Sequence, residues 1–293
     1  MIIKKKQIGE QEYYYLEHSF RREGKVQKKE VYLGKEIPKN IEEIKKKFIF
    51  EVYEDKWFKI FENIKKGYSK EEKSTPASAK EKEIESFMVK FTYNTQKIEG
   101  SRLSLKDTAN LLEKGISPKE KPVRDIKEAE NHKKIFYDML NYKKDLNMQI
   151  VLYWHKKLFE GTKEDIAGKI RNHQVIISRS KFIPPIPAEL DFLLKEFFDW
   201  YNKNKNKINP VELAALVHLK FVSIHPFSDG NGRISRLMMN FVLNRSRMPM
   251  MDIAYTNRNS YYTALERAQV KSNEMIFMQW FFRSYFKSNK RFL

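Results

Sequence analysis

The chain contains no cysteine among its 293 residues. Disulfides and thiolate metal centres are therefore excluded, and the residue usage fits an intracellular setting. No apolar run reaches membrane-spanning length, and the lysine-bearing N-terminus lacks the apolar stretch of a secretory leader. A cytoplasmic protein without membrane association is expected. Glycine and proline are few, ten of each, and most stand where a helical pattern stops. Acid is also in deficit: 38 Asp and Glu face 57 Lys and Arg, a net charge of +19. Such a balance suits an acidic partner, whether nucleotide, nucleic acid or protein face. Lysines spread along the whole chain fit a solvated basic surface equally well. What is plentiful is apolar and aromatic content, 41% and 14%, enough for one good-sized domain and a small appendage.

Residues 1–36 differ from the rest. Tyr13–Leu16 and Val26–Leu33 read as strands joined by Arg22-Glu23-Gly24-Lys25, a small basic β-hairpin element. Aromatics interleaved with lysines make it either a nucleic-acid or partner-binding surface or a sheet packed on the main body. Residues 37–80 read as a helix and linker. Ile41, Ile44, Phe48, Val52, Trp57, Phe61 and Ile64 recur at helical spacing, Gly67 stops them, and Lys70–Lys80 is loop-like. Residues 81–103 carry a further helix, with Ile84, Phe87, Met88, Phe91, Thr95 and Ile98 on one face and Gly100 as its end. Residues 104–290 continue as helices. His132, His155 and His218 sit within them and read as structural. Val175-Ile176-Ile177 breaks the helical period as a short β run, and Pro184-Pro185 ends it. One hairpin in a helical domain is either an edge ornament or an exposed edge that captures an extended segment. The fold class is mostly α: a helical bundle carrying one β-hairpin, plus the small N-terminal β element.

The chemistry concentrates in His225-Pro-Phe-Ser-Asp-Gly-Asn-Gly-Arg-Ile-Ser-Arg236, between two apolar helical runs. Gly230 and Gly232 permit unusual backbone angles and close approach by a ligand. The amides and dipole of the helix that follows favour an anion. Arg233 and Arg236, three apart, reach the same helix start, and guanidinium forks suit phosphate oxygens. Asp229 is a candidate oxygen ligand for Mg²⁺, and His225 is the side chain suited to accept a proton near neutral pH. Together these residues read as a nucleotide-handling site. Upstream, Glu99 stands in the last turn of its helix, against the dipole, which invites a cationic partner. Tyr261 and Tyr262 either stack on a purine or pack the core.

This twelve-residue stretch resembles the signature of the Fic (Fido) family, with every defining position filled. The resemblance spans roughly residues 84 to 282, with a core at 147–282, and leaves the first 80 residues outside. It implies a Fic-type bundle whose β-hairpin is a flap over the active site, lined by Val175, Ile176, Ile177 and Ser178. Thr95-Gln-Lys-Ile-Glu99-Gly100 resembles the family's inhibitory helix, whose Glu pairs with the second arginine of the core motif, here Arg236. The implied activity is protein adenylyltransfer, with ATP and Mg²⁺, onto a hydroxyl side chain of a protein, self included. His225 would be the base, Asp229 the metal ligand, and Asn231 with the Gly230 and Gly232 amides the donors to the transferred phosphoryl group. Arg233 and Arg236 would hold the outer phosphates, and Tyr261, Tyr262 and Gln269 would lie by the adenine. Removal of AMP, transfer of another phosphate-bearing group, and a basic nucleic-acid-binding regulator stay open as alternatives, as does a homodimer.

Overall fold

The computed structural model describes residues 1–22, 25–178 and 180–293. They divide into two units, Met1–Asn63 and Ile64–Leu293.

In the first unit, β1 (Ile2–Ile8), β2 (Gln11–Arg22) and β3 (Lys25–Gly34) form an antiparallel meander, with Ile3 opposite Leu16 and Leu16 opposite Val31. Leu16 and Leu33 bury against Phe48 and Val52 of α1 (Ile41–Ser74). The expected two-stranded hairpin is thus a three-stranded sheet. Lys4-Lys5-Lys6 hid β1, because charge on an edge strand breaks apolar alternation while guarding the edge against further pairing. Glu23 and Gly24 of the expected turn lie outside the described residues.

Helix α1 also corrects the expected stop at Gly67 and the linker at Lys70–Lys80. The helix runs on to Ser74, and α2 (Ala77–Ile98) begins just after Pro76. Gly67 serves packing instead. A Cβ there would lie 1.9 Å from the main-chain oxygen of Phe292, so only glycine admits the C-terminus so close.

The second unit is a helical bundle: α2, α3 (Leu105–Lys114), α4 (Val123–Asn141), α5 (Met148–Phe159), α6 (Leu190–Asn204), α7 (Pro210–Ile224), α8 (Asn231–Arg245), α9 (Arg258–Val270) and α10 (Glu274–Asn289). Its centre is the α7–α8 hairpin. Helix α7 starts on the Asn209 side-chain cap with Pro210 in its first turn. It is buried almost all round, from Val211 to Ile224, as a helix apolar on every face must be. Helix α3 carries a Ser104–Asp107 capping box and ends on left-handed Gly115. The mostly α class expected from periodicity holds, with ten α-helices and one three-stranded sheet among the described residues.

The expected β run at Val175–Ile177 is not a strand. Among the described residues, segment 172–186 forms no ladder. Ser180 N–H donates to the Ile177 carbonyl at 3.1 Å, and Gln174 Nε2 reaches the Pro184 carbonyl at 3.0 Å. Pro184 and Pro185 supply no N–H for a ladder, and an isolated two-stranded ribbon is marginal in water.

Candidate active site

His225 ends α7 in the left-handed region, at φ 52°, a conformation that costs a non-glycine residue about 1–2 kcal/mol. That kink turns the chain from α7 into the loop 225–230 that α8 follows. Its Nδ1 lies 3.2 Å from the Val222 carbonyl. A carbonyl only accepts, so Nδ1 carries the hydrogen and Nε2 keeps its lone pair. Burial holds the imidazole below its ordinary pKa, and the nearby Arg171 charge adds to this. His225 is therefore a neutral base at pH 7.

The loop's shape comes from side chains. Asn231 Oδ1 accepts from Phe227 N–H at 2.9 Å and its Nδ2 donates to the Phe227 carbonyl at 2.8 Å. Both ends of that amide hold the turn, which leaves one of its two Nδ2 hydrogens for another acceptor. Gly230, at φ 83°, must lack a side chain, since a Cβ would sit 2.7 Å from the Phe159 ring. Beneath the loop, His155 stacks on Phe227 with centroids 3.7 Å apart. Its Nδ1 accepts from Gly168 N–H at 2.9 Å, so Nε2–H donates to the Asp229 carbonyl at 3.0 Å. The histidine read as structural is a strut of the site.

The Asp229 carboxylate meets Lys163 Nζ, Arg233 Nη2 at 3.2 Å and Gly230 N–H at 2.5 Å. Burial opposes its ionisation, but the two cations prevail and hold it below the usual carboxylate range. Among the described residues no three His, Asp or Glu gather as a metal cluster, so Asp229 stands as a single candidate ligand. Arg233 is buried against Glu128, Gln96 Oε1 at 3.1 Å and Asp229. It thus ties α8 to α2 and α4.

Arg236 is only 1% exposed. Its Nε donates to Thr95 Oγ1 at 2.7 Å, its Nη1 to Tyr261 OH at 3.2 Å and its Nη2 to Glu99 Oε1 at 2.6 Å. Burial disfavours the charge, but Tyr261 and Glu99 more than restore it and push the guanidinium up. The contact needs a glycine below it: a Cβ on Gly232 would lie 2.4 Å from Glu99 Oε1. Glu99 caps α2, and Gly100 turns the chain away at φ 96°.

Tyr261 is buried and donates onward to His218 Nε2 at 2.9 Å, so it braces Arg236 rather than presenting a ring to a purine. Tyr262 is 44% exposed. Gln269 bonds Ser223 Oγ at 3.1 Å and lines a groove of about 540 Å³ with Phe182 and Ile224. Ile176 projects into solvent at 88% exposure, and Ser178 is exposed beside it. Val175 and Ile177 are half-buried. Arg171, which sequence reasoning passed over, joins this segment to the base. Its Nε, Nη1 and Nη2 donate to the carbonyls of His225, His173 and Pro185 at 2.8, 2.9 and 2.6 Å.

Residues 145–243 match the Fic/DOC family model. Over this stretch the chain is similar to Fic domains. Fic relatives include protein adenylyltransferase fic-1 of Caenorhabditis elegans, 33% identical over 186 residues, covering 61% of this chain and 36% of that one. Protein adenylyltransferase Fic of Nematostella vectensis is 31% identical over 181 residues, covering 60% and 42%. Among solved structures, a Fic domain containing signaling protein from Bacteroides thetaiotaomicron aligns with TM-score 0.69 at 27% identity, over 78% of this chain and 94% of that one. A C. elegans Fic-1 fragment gives 0.68 at 27% identity, over 80% and 70%. The chain spans well under half the length of the two full-length Fic relatives.

Proposed function

We propose that the chain is a protein adenylyltransferase, moving AMP from ATP to a Tyr, Thr or Ser hydroxyl of a protein, and that Glu99 holds it nearly silent. The observation that carries this is the Glu99–Arg236 pair at 2.6 Å, set at the start of α8 in a domain whose relatives bear that name. In the reaction the substrate oxygen bonds the α-phosphorus while His225 Nε2 takes its proton. The bond to the bridging oxygen breaks and pyrophosphate leaves. Main-chain amides at the start of α8 meet the charge that develops on the phosphoryl oxygens, and the Gly230 N–H joins them once it leaves Asp229 Oδ1. Gln269 lines the groove offered to adenine, and Tyr262 supplies an exposed ring. Segment 175–178, which joins no ladder among the described residues, holds an extended stretch of target by main-chain hydrogen bonds.

Asp229 fits Mg²⁺, which takes one or two carboxylates and completes its shell with water and phosphate; Lys163 must then yield an oxygen. When bound, the ion neutralises phosphate charge. Arg236, once free of Glu99, receives the terminal phosphate. While Glu99 occupies it, that phosphate has no seat and the α-phosphorus is misplaced, and a displacement of about 1 Å costs on the order of 10²-fold.

The test is incubation of wild type and Glu99→Gly with α-labelled ATP and Mg²⁺, followed by a gel. Label on protein in the variant and little in wild type supports the reading; label in neither sinks it. A second reading rests on Glu99 itself. Only its Oε1 is engaged by Arg236, which leaves Oε2 to take a proton from water for AMP removal. Release of AMP from a modified protein, lost in Glu99→Gly, would favour that direction. Nucleic-acid binding by the N-terminal sheet rests on the cluster of tilted Tyr13, Tyr15 and Tyr32 rings, with Lys6 4.3 Å over Tyr15. Salt-dependent binding of a labelled single strand tests it.

A further inference from the structure

Helices α9 and α10 and the loop 251–254 enclose a cleft of about 580 Å³, a size that accepts a small ligand. None of His225, Arg236 or Gln269 lines it, so it is separate from the site above. Three cations rim it: Arg267 from α9, and Arg283 and Lys287 one turn apart on α10. Like charges at that spacing repel. Among the described residues, none of the three meets a carboxylate, whereas surface lysines elsewhere do, as in Lys195–Asp199, Lys157–Glu160 and Lys45–Glu42.

The single acid of the lining is Asp252. Its Oδ2 is taken by Asn94 Nδ2 at 2.5 Å, and burial pushes it up to about 7. At neutral pH it therefore offers the three cations less than a full negative charge. The walls include Ile253, Ala264, Ile276 and Trp280. Charges of one sign around a concave, low-dielectric wall concentrate their potential inward.

We infer that this cleft is a second anion site, which takes small molecules bearing two or more phosphate groups. The two guanidinium forks suit phosphate oxygens in pairs, Lys287 adds a point charge, and the Ser284 hydroxyl at the lining adds a neutral donor. Three cations drawn from two helices match the charge of two or more phosphate groups better than that of one, and the enclosure is too small for a nucleic-acid duplex. The inference stands apart from the proposed transfer reaction, because it uses no residue of that site.

The test is calorimetric titration of the full chain with tripolyphosphate at fixed ionic strength. Wild type should bind saturably. Arg267→Gln/Arg283→Gln should bind at least about tenfold more weakly, the loss expected when charge-assisted hydrogen bonds go. Both side chains are exposed, so the fold tolerates the change, and unchanged thermal unfolding without ligand checks this. A control of equal charge loss, Lys119→Gln/Lys203→Gln, removes two exposed lysines elsewhere and should bind as wild type does. Absence of saturable binding in wild type overturns the site. So does equal weakening in both variants, which means diffuse charge attraction, or unchanged binding in the arginine variant, which puts the anion elsewhere.

Discussion

Arg171 Nε donates to the main-chain carbonyl of His225 at 2.8 Å, and the rest of the guanidinium is spent on His173 and Pro185. One buried cation therefore fixes His225 and both ends of segment 173–185. No carboxylate pairs with it among the described residues, and carbonyl dipoles alone hold the charge. Arg171→Lys keeps the charge but has no planar fork to reach three acceptors. In a Glu99→Gly background it should lower AMP transfer by about 10²-fold through misplacement of His225. Arg171→Met, which also strands the carbonyls, should cost about 2–4 kcal/mol in urea unfolding. Full transfer activity in Arg171→Lys would contradict this coupling.

Glu99 and Arg236 pair unequally, with Glu99 26% exposed and Arg236 1%. Removing the acid leaves Arg236 still bonded to Thr95 and Tyr261. Glu99→Gly should therefore destabilise by about 1–2 kcal/mol, below the 3–5 of a fully buried pair, while raising label transfer. Glu99→Gln keeps an acceptor without the charge and should fall between wild type and Gly in transfer. A Gln variant as active as Gly would mean that charge alone holds Arg236.

Much of this site was legible because turn chemistry is local. His-Pro-Phe, the two glycines and two arginines in helical phase sit within twelve residues, and Glu99 showed itself by standing against a helix dipole. What the sequence hid is non-local. Asn231 reads as a free donor until its oxygen and one Nδ2 hydrogen are seen to hold Phe227. Nothing near Arg233 in sequence announces Glu128, in α4, which pairs with it. Tyr261 and Tyr262 are neighbours in sequence, but helical geometry buries one and exposes the other. The helices followed from apolar period, whereas β1 was masked by its own lysines. Segment 175–177 had strand propensity but no partner strand, so its β pattern never became a ladder.

Lys163 and Gln174 illustrate residues for which no motif spoke. Lys163 Nζ lies on Asp229 Oδ2, half-buried and over the Phe159 ring, where it takes the place a cation would. Lys163→Met should let the nucleotide-free protein bind Mn²⁺ about three- to fivefold more tightly, the worth of a partly exposed ion pair of up to about 1 kcal/mol. Paramagnetic titration of wild type and variant measures this without any turnover. Equal affinities would show that Lys163 leaves Asp229 at no cost.

His132, His218 and His155 make a pH prediction whose sign follows from burial. Burial takes His132 and His218 down to about 3 and His155 to about 4, from 6.5. Each is neutral in the fold, and unfolding lets it bind a proton. Stability is thus full above pH 6.5 and is lost as pH falls from there toward 4, since only the unfolded chain gains protons in that window. Each histidine contributes about 1.4 kcal/mol per pH unit, and the three together about 4. Urea midpoints measured at pH 7.5, 6.5, 5.5 and 4.5 should be flat over the first step and fall steeply over the next two. His225 is lowered by burial as well, so the acid limb of transfer by Glu99→Gly should lie below pH 6.5 and should follow protonation of the base. A rate that falls already between pH 7.5 and 6.5 would place the base elsewhere.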